Sequence, residues 1–352
     1  MRYLLIITLL AIPLATQPST VPKRPVNTYS IVAYDPNTRQ LGVAVQSHWF
    51  CVGCTVSWAQ AGVGAVATQS FIDPSYGALG LDMMRAGRSA PDTLKGLLIA
   101  DKHRDVRQVA MVDAEGRVAA WTGANDIQAA GHLVGGMAKS ATNPSSDHGA
   151  FSSGKNYSVQ ANLMVSNKVW PAMARAFEST KGDLAERMLT ALEAAQAVGG
   201  DSRGSQSAAL IVVRGKSAGE PWTDRVFDLR VDDDPLPLEE LRRLVTLARV
   251  YHHMNAGDLA VERKDNNAAL REYGAAERLV AGKQSTTPDR RAEILYWHAV
   301  ALVNMGRVDK SLPLFKRAFA LHAAWRQLTP RLSEAGLLPD NSKIIHRIEA
   351  VK

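Results

Sequence analysis

The side chains in this sequence that could carry covalent chemistry are hydroxyls and amides at the ends of strand-like segments. They are Thr28 and Ser30, Ser47 followed by His48, Gln69 and Ser70, Gln160 and Asn162, and the run Gly199-Gly200-Asp201-Ser202-Arg203-Gly204-Ser205-Gln206-Ser207. A hydroxyl becomes a nucleophile only with a base beside it. With no His and carboxylate paired in the sequence, one remaining base is the free α-amino group of an N-terminal Thr, Ser or Cys, whose pKa of about 7.7–8.0 suits proton transfer at neutral pH. That chemistry requires the nucleophile to be the first residue of a mature chain, at the start of the first strand. Arg203 could grip a carboxylate with two parallel hydrogen bonds while Asp201 orients it or receives an amine; alternatively the two form a structural ion pair. Asn162 and Gln160 could donate to an oxyanion or satisfy a buried backbone edge. Ser47 and Ser207 could relay protons. His48, followed by Trp49-Phe50, reads as packing or pocket wall.

The familiar templates are absent. There is no H-E-x-x-H pair, no phosphate-binding glycine loop before a helix and no G-x-S-x-G elbow, and His252-His253 are adjacent and cannot share a helix face. No metal or cofactor is expected. Cys51-x-x-Cys54, the only cysteines, could be a redox pair. In a strand-like stretch, however, residues three apart point to opposite faces, which makes a bridge between them difficult.

The elements that must hold these residues follow from periodicity. Strands are expected over residues 29–34, 41–46 and 62–67, helices over 77–86 and 90–100, and strands over 106–112 and 118–122. A Gly/Ser/Asn-rich stretch at 135–155 precedes a strand at 157–164. Helices at 171–177 and 184–197 lead to strands at 208–213 and 225–231. Groups of strands alternating with pairs of helices suit a layered α+β sandwich rather than a parallel fold. After the linker 232–242 the pattern is helical to residue 352. Ala269-Leu270-x-x-Tyr273-x-x-Ala276 recurs as Ser311-Leu312-x-x-Phe315-x-x-Ala318, in the manner of a tetratricopeptide unit with a loop inserted near 283–289; a plain helical bundle is the alternative.

At 352 residues the chain suggests two domains, and 46% hydrophobic with 21% charged residues excludes wholesale disorder. The formal charge of +7 is scattered, without basic clusters interleaved with aromatics, so no nucleic-acid partner is expected. Residues 1–20 have the layout of a secretory signal peptide, which predicts a periplasmic or secreted protein with no membrane span after its removal. An uncleaved signal would instead anchor the chain to the membrane.

Seven stretches together resemble the bacterial domain-of-unknown-function family 1028: Thr28-Tyr29-Ser30-Ile31-Val32-Ala33, Gly42 to Ser47, Ala61 to Gln69, Pro74-Ser75-Tyr76-Gly77, Ala130-Gly131-His132, Tyr157 to Asn162 and Gly200-Asp201-x-Arg203-Gly204-x-Gln206-Ser207-Ala208-Ala209. The resemblance spans residues 28–231. It implies a four-layer αββα sandwich of the N-terminal-nucleophile (Ntn) hydrolase type, here followed by an all-α tail, and amidohydrolase activity on a C–N bond of a small or peptide-like substrate. It implies Thr28 as the nucleophile, with Ser47, Asn162 and Asp201 in the catalytic set and Gln69, Gln160, Arg203 and Ser207 contacting substrate. Twenty-seven residues precede Thr28, so a second cleavage or autoproteolysis at Asn27-Thr28 is needed. Without it the domain would be a silent relative that binds a ligand or cell-wall fragment. The segment 136–156 is read as a lid, the helical tail as a docking surface for a protein or the cell wall, and the whole as a homo-oligomer.

Overall fold

The computed structural model describes residues 25–136, 149–281 and 287–351. The expected signal peptide, the centre of the expected lid and most of the inserted loop lie outside the described residues.

Strands β1 (Thr28–Tyr34), β2 (Leu41–Ser47), β7 (Gly131–Val134), β9 (Tyr157–Ala161), β10 (Ser207–Val213) and β11 (Arg225–Val231) form an antiparallel sheet in the order β11-β10-β2-β1-β9-β7. A second antiparallel sheet runs β3-β4-β5-β6-β8, from β3 (Ser57–Gln60), β4 (Gly64–Ser70), β5 (Arg107–Asp113), β6 (Arg117–Thr122) and β8 (Ala150–Lys155). Side chains alternate faces along a strand, and here both faces are apolar. On β1, Tyr29, Ile31 and Ala33 point into one cluster while Val32 points into another. The second cluster, with Leu41, Val43, Val45, Ala65, Ala67, Ala110, Val112, Val118 and Ala120, lies between the sheets.

Helices α1 (Ser75–Arg85) and α2 (Ala90–Ala100) cover the outer face of the five-stranded sheet through Tyr76, Leu81, Leu94 and Leu98, which pack on Val66, Val109, Met111 and Trp121. Helices α3 (Val169–Ser179) and α4 (Leu184–Ala197) cover the six-stranded sheet through Trp170, Met173, Phe177, Met188 and Leu192. The order of layers is thus α-β-β-α, as expected. Burying each such Leu, Ile or Phe contributes about 1.5–3 kcal/mol. Local signals set the helix starts: Ser89 Oγ accepts from Asp92 N at 3.1 Å ahead of α2, and Asp183 Oδ1 from Glu186 N at 2.8 Å ahead of α4.

Several expectations need correction. The expected linker 232–242 is shorter, because α5 (Pro237–Glu262) begins inside it and its first turns, Leu238, Leu241 and Val245, complete the core over the six-stranded sheet. Arg242 reaches Glu186 and Glu193, and Arg249 reaches Asp183 and Glu186, so α5 is also bound to α4 by ion pairs of 2.6–3.0 Å. Cys51 and Cys54 do not lie in a strand. Cys51 takes φ 51° ahead of a single 3-10 turn, which brings the two Cα atoms to 5.5 Å, and the cysteines are bridged by a disulfide. The described end of the expected lid is β8, an edge strand paired with β6 from Arg117↔Lys155 to Thr122↔Ala150.

Beyond α5 come α6 (Asn266–Val280), α7 (Pro288–Asn304), α8 (Val308–Leu321), α9 (Ala324–Glu334) and α10 (Ser342–Glu349). The two copies of the repeat fall on α6 and α8 and bury matching positions, Ala269, Tyr273 and Ala276 against Ser311, Phe315 and Ala318. Tyr273 packs so closely on α5 that a Cβ at Gly257 would lie 2.7 Å from its ring.

Candidate functional site

The inner faces of both sheets are apolar toward one end and polar toward the other. Carrying the strand period on from Val32, Val45, Ala67, Ala110, Ala120 and Ala209 gives Thr28 and Ser30, Ser47, Gln69, Gln108, Thr122 and Ser207. All are buried between the sheets. Such groups are tolerated there only if they satisfy one another. Gln69 Nε2 donates to Gln108 Oε1 at 2.6 Å, and Ser30 Oγ donates to Gln69 Oε1 at 2.6 Å. Gln160 Nε2 donates to Ser30 Oγ at 2.6 Å, and Asn162 Nδ2 to Gln108 Oε1 at 2.9 Å. Gln108 Nε2 donates to Thr122 Oγ1 at 2.9 Å, and that hydroxyl shares a hydrogen bond of 2.7 Å with His132 Nδ1. Burial holds the imidazole's pKa down at about 4, which keeps the ring neutral at pH 7.

Thr28 sits at the edge of this network in the middle of a continuous chain. Its Oγ1 donates to Val26 O at 2.8 Å, and among the described residues no imidazole or carboxylate hydrogen-bonds to it. Both carbonyls flanking its peptide unit are held by paired donors. Thr28 O accepts from Gln69 Nε2 and from the Asn162 backbone N–H, each at 3.1 Å. Asn27 O accepts from Ser47 Oγ in a short hydrogen bond and from Arg203 Nη2 at 3.0 Å. Just upstream, Val26 pairs with Ser70 through two backbone hydrogen bonds, Val26 N to Ser70 O at 2.7 Å and Ser70 N to Val26 O at 3.1 Å.

Arg203 is aimed by the loop that carries it. Gly199 and Gly200 take φ of 110° and 56°, conformations a side chain would strain, and turn the chain back so that Asp201 bridges to Met164. Asp201 Oδ1 accepts from Arg203 N and Nε at 2.9 and 3.1 Å, while Oδ2 accepts from Arg203 Nη2 at 2.7 Å and from His48 N at 3.1 Å. The carboxylate is fully buried and committed, which makes Asp201 a positioning residue for Arg203 and not a group that reaches Thr28. Ser207 is likewise structural: its Oγ donates to Trp49 O and accepts from Val52 N at 3.1 Å, bracing the turn next to the disulfide. Gln160 reaches Thr28 only through Ser30 and Gln69. Of the expected set, then, Ser47, Gln69, Asn162 and Arg203 converge on the peptide unit at Thr28, and Asp201, Gln160 and Ser207 act one step away.

A cavity of about 600 Å³ opens over the same peptide bond, lined by Pro25, Asn27, His48, Trp49, Phe50, Arg203 and Gln206. Gln108, Thr122 and Asp126 escaped the sequence reading, and His132 entered it only within the stretch Ala130-Gly131-His132, without a role. The first two were findable, being polar residues in the inward phase of β5 and β6. Asp126 carries no local signal. It is buried, neither carboxylate oxygen meets a donor at hydrogen-bond geometry, and burial pushes its pKa up to about 7, only partly offset by the Ser70 hydroxyl and the Gly123 backbone nearby. As for metals, Cys51, Cys54 and Asp232 form the one close group of possible ligands among the described residues, and the disulfide removes its two thiolates.

The comparisons with known proteins agree with this architecture. The model of a family of unknown function (DUF1028) matches residues 28–148 and 140–241. The chain is similar to the crystal structure of protein SPO2555 from Silicibacter pomeroyi, of the same family, at 26% identity and a TM-score of 0.52, over 63% of this chain and 89% of that one. No match is found among the curated proteins.

Proposed function

Given that the chain belongs to the DUF1028 family, whose description assigns no reaction, we propose from the geometry at Thr28 that it is an N-terminal-nucleophile amidohydrolase, exported by its leader and activated by cleavage at Asn27-Thr28. The observation that carries this reading is the pair of donors on Asn27 O. Ser47 Oγ and the Arg203 guanidinium stand where negative charge develops when a hydroxyl attacks that carbonyl carbon. Thr28 Oγ attacks the Asn27 carbon, the C–N bond breaks, and the nitrogen takes up the proton released by the hydroxyl. The result is an ester on Thr28 Oγ and a free α-amine. Water then hydrolyses the ester and leaves Thr28 as residue one.

The released amine is the base that the site otherwise lacks. It takes the Thr28 hydroxyl proton as Oγ attacks a substrate amide, then passes that proton to the leaving amine. An acyl-enzyme remains, and water, deprotonated by the same amine, releases the acid. Gln69 and the Asn162 N–H hold Thr28 O and keep the nucleophile in register.

The test is the intact mass and N-terminal sequence of the full chain exported by its native host, alongside its Thr28→Ala and Thr28→Ser variants. A chain starting at Thr28, retained for Ser and lost for Ala, supports the proposal. A chain that keeps Asn27 in all three forms overturns it, and the cavity then belongs to a ligand-binding protein.

A further inference from the structure

The self-cleavage just described fixes what the site accepts. The ester formed when the Asn27 acyl group moves to Thr28 Oγ is chemically the acyl-enzyme of an ordinary turnover, with residues 25–27 as the first acyl group. The contacts that hold those residues are therefore the contacts of an acyl-side substrate pocket, and they are specific ones. Val26 exchanges both of its backbone hydrogen bonds with Ser70, its side chain is buried in the apolar cluster between the sheets, and the next carbonyl sits between Ser47 Oγ and Arg203 Nη2. Ser70 closes β4 in the left-handed region (φ 68°), a rare backbone state for a serine. Pro25 lines the cavity together with Trp49 and Phe50.

We propose that the substrate is an oligopeptide, cleaved at a C–N bond on its carboxyl side. Its penultimate residue is a small aliphatic one that pairs with Ser70 as an added antiparallel strand residue. This inference rests on the reading of Thr28 as nucleophile. The scissile carbonyl belongs to the residue that replaces Asn27. Asparagine itself is not demanded there, because its Oδ1 is buried without a partner. An amino-acid amide or a simple acyl amide lacks the N–H and C=O that meet Ser70, and extended pairing of this kind draws affinity from the main chain and selectivity from alternate side chains.

The experiment uses the chain that starts at Thr28, all later residues kept, with three fluorogenic anilides: acetyl-Pro-Val-Asn, acetyl-Asn, and acetyl-Pro-(N-methyl)Val-Asn. The tripeptide is expected to exceed acetyl-Asn in kcat/KM by tenfold or more. N-methylation, which removes the N–H donated to Ser70 O, is expected to cost about tenfold. Equal rates on all three overturn the peptide pocket and leave the nucleophile standing. If none is hydrolysed, calorimetry with acetyl-Pro-Val-Asn amide decides. Binding that N-methylation weakens keeps the pocket and overturns the nucleophile, and absence of binding overturns the pocket. Should the shortened chain fail to fold, the full chain carrying Val26→Gly is expected to accumulate the Thr28 terminus at least tenfold more slowly than wild type, and an unchanged rate overturns the proposal.

Discussion

His132 and Asp126 are buried titratable groups with opposite effects on stability, and replacing either one should uncover the other. His132 is neutral in the folded chain with a pKa of about 4, against 6.5 for a free imidazole. Between those values the unfolded chain binds a proton that the folded chain does not. Stability from this residue is therefore complete above pH 6.5 and is lost as pH falls to 4, by 2.5 pH units at 1.36 kcal/mol each, or about 3 kcal/mol. Asp126 runs the other way. Its pKa of about 7 against 3.8 means the folded chain holds the extra proton, so stability is greatest below pH 3.8 and falls by about 4 kcal/mol as pH rises to 7. From pH 4 to 6.5 the two slopes cancel. In His132→Asn the side-chain amide keeps a hydrogen bond to the Thr122 hydroxyl in place of Nδ1, and the variant does not titrate. Urea unfolding of the full chain, followed by tryptophan fluorescence from pH 4 to 7.5, should show the variant gaining about 3 kcal/mol on wild type as pH falls from 6.5 to 4. Asp126→Asn should gain about 4 kcal/mol as pH rises from 4 to 7. Titrating groups shared with wild type drop out of each difference. A difference for His132→Asn that stays level across this range refutes a neutral imidazole buried between the sheets.

Removing one donor from Asn27 O by Ser47→Ala should slow appearance of the Thr28 terminus by about 10²–10³-fold, read by mass spectrometry over time; an unchanged rate would remove the oxyanion role assigned to that hydroxyl. Gly77→Ala places a methyl 2.3 Å from the Trp58 ring. That should destabilise the first domain by about 1–3 kcal/mol in a thermal or urea melt and shift the Trp58 emission. Arg242→Ala breaks the contacts to Glu186 and Glu193, groups a quarter to a third exposed, and should cost only about 1 kcal/mol. Its clearer signature should be faster hydrogen exchange in the first turns of α5.

How much of this was legible in the sequence depended on whether the deciding contact was local. Helices α2 and α4, with Ser89 and Asp183 as caps, and strands such as β1 and β2, buried on both faces, follow from spacing alone. Strands β7 and β8 do not. The segment Ala150 to Lys155 contains Ser152-Ser153-Gly154, poor strand formers, and its conformation is imposed by pairing with β6, some thirty residues away in the sequence. The bridge between Cys51 and Cys54 went against expectation for a related reason. The argument from strand geometry was sound, but Cys51 leaves the strand region entirely. At the site the division falls between side chains and main chain. Ser47, Gln69 and Arg203 could be picked out because a polar side chain in an inward phase, or after a glycine pair, needs a partner. The partner is the carbonyl of Asn27 or of Thr28, a group every residue has and no composition marks. Asp201 follows the same division. Of its two readings, facing a ligand or pairing with Arg203, the structure has the second: its oxygens are spent on Arg203 and the His48 N–H so that the guanidinium can reach a backbone oxygen. Under the proposed self-cleavage, a site whose target is a peptide carbonyl of its own chain should recognise peptide carbonyls in a substrate, and for that reason the contacts of residues 25–27 would bear on specificity as well as on activation.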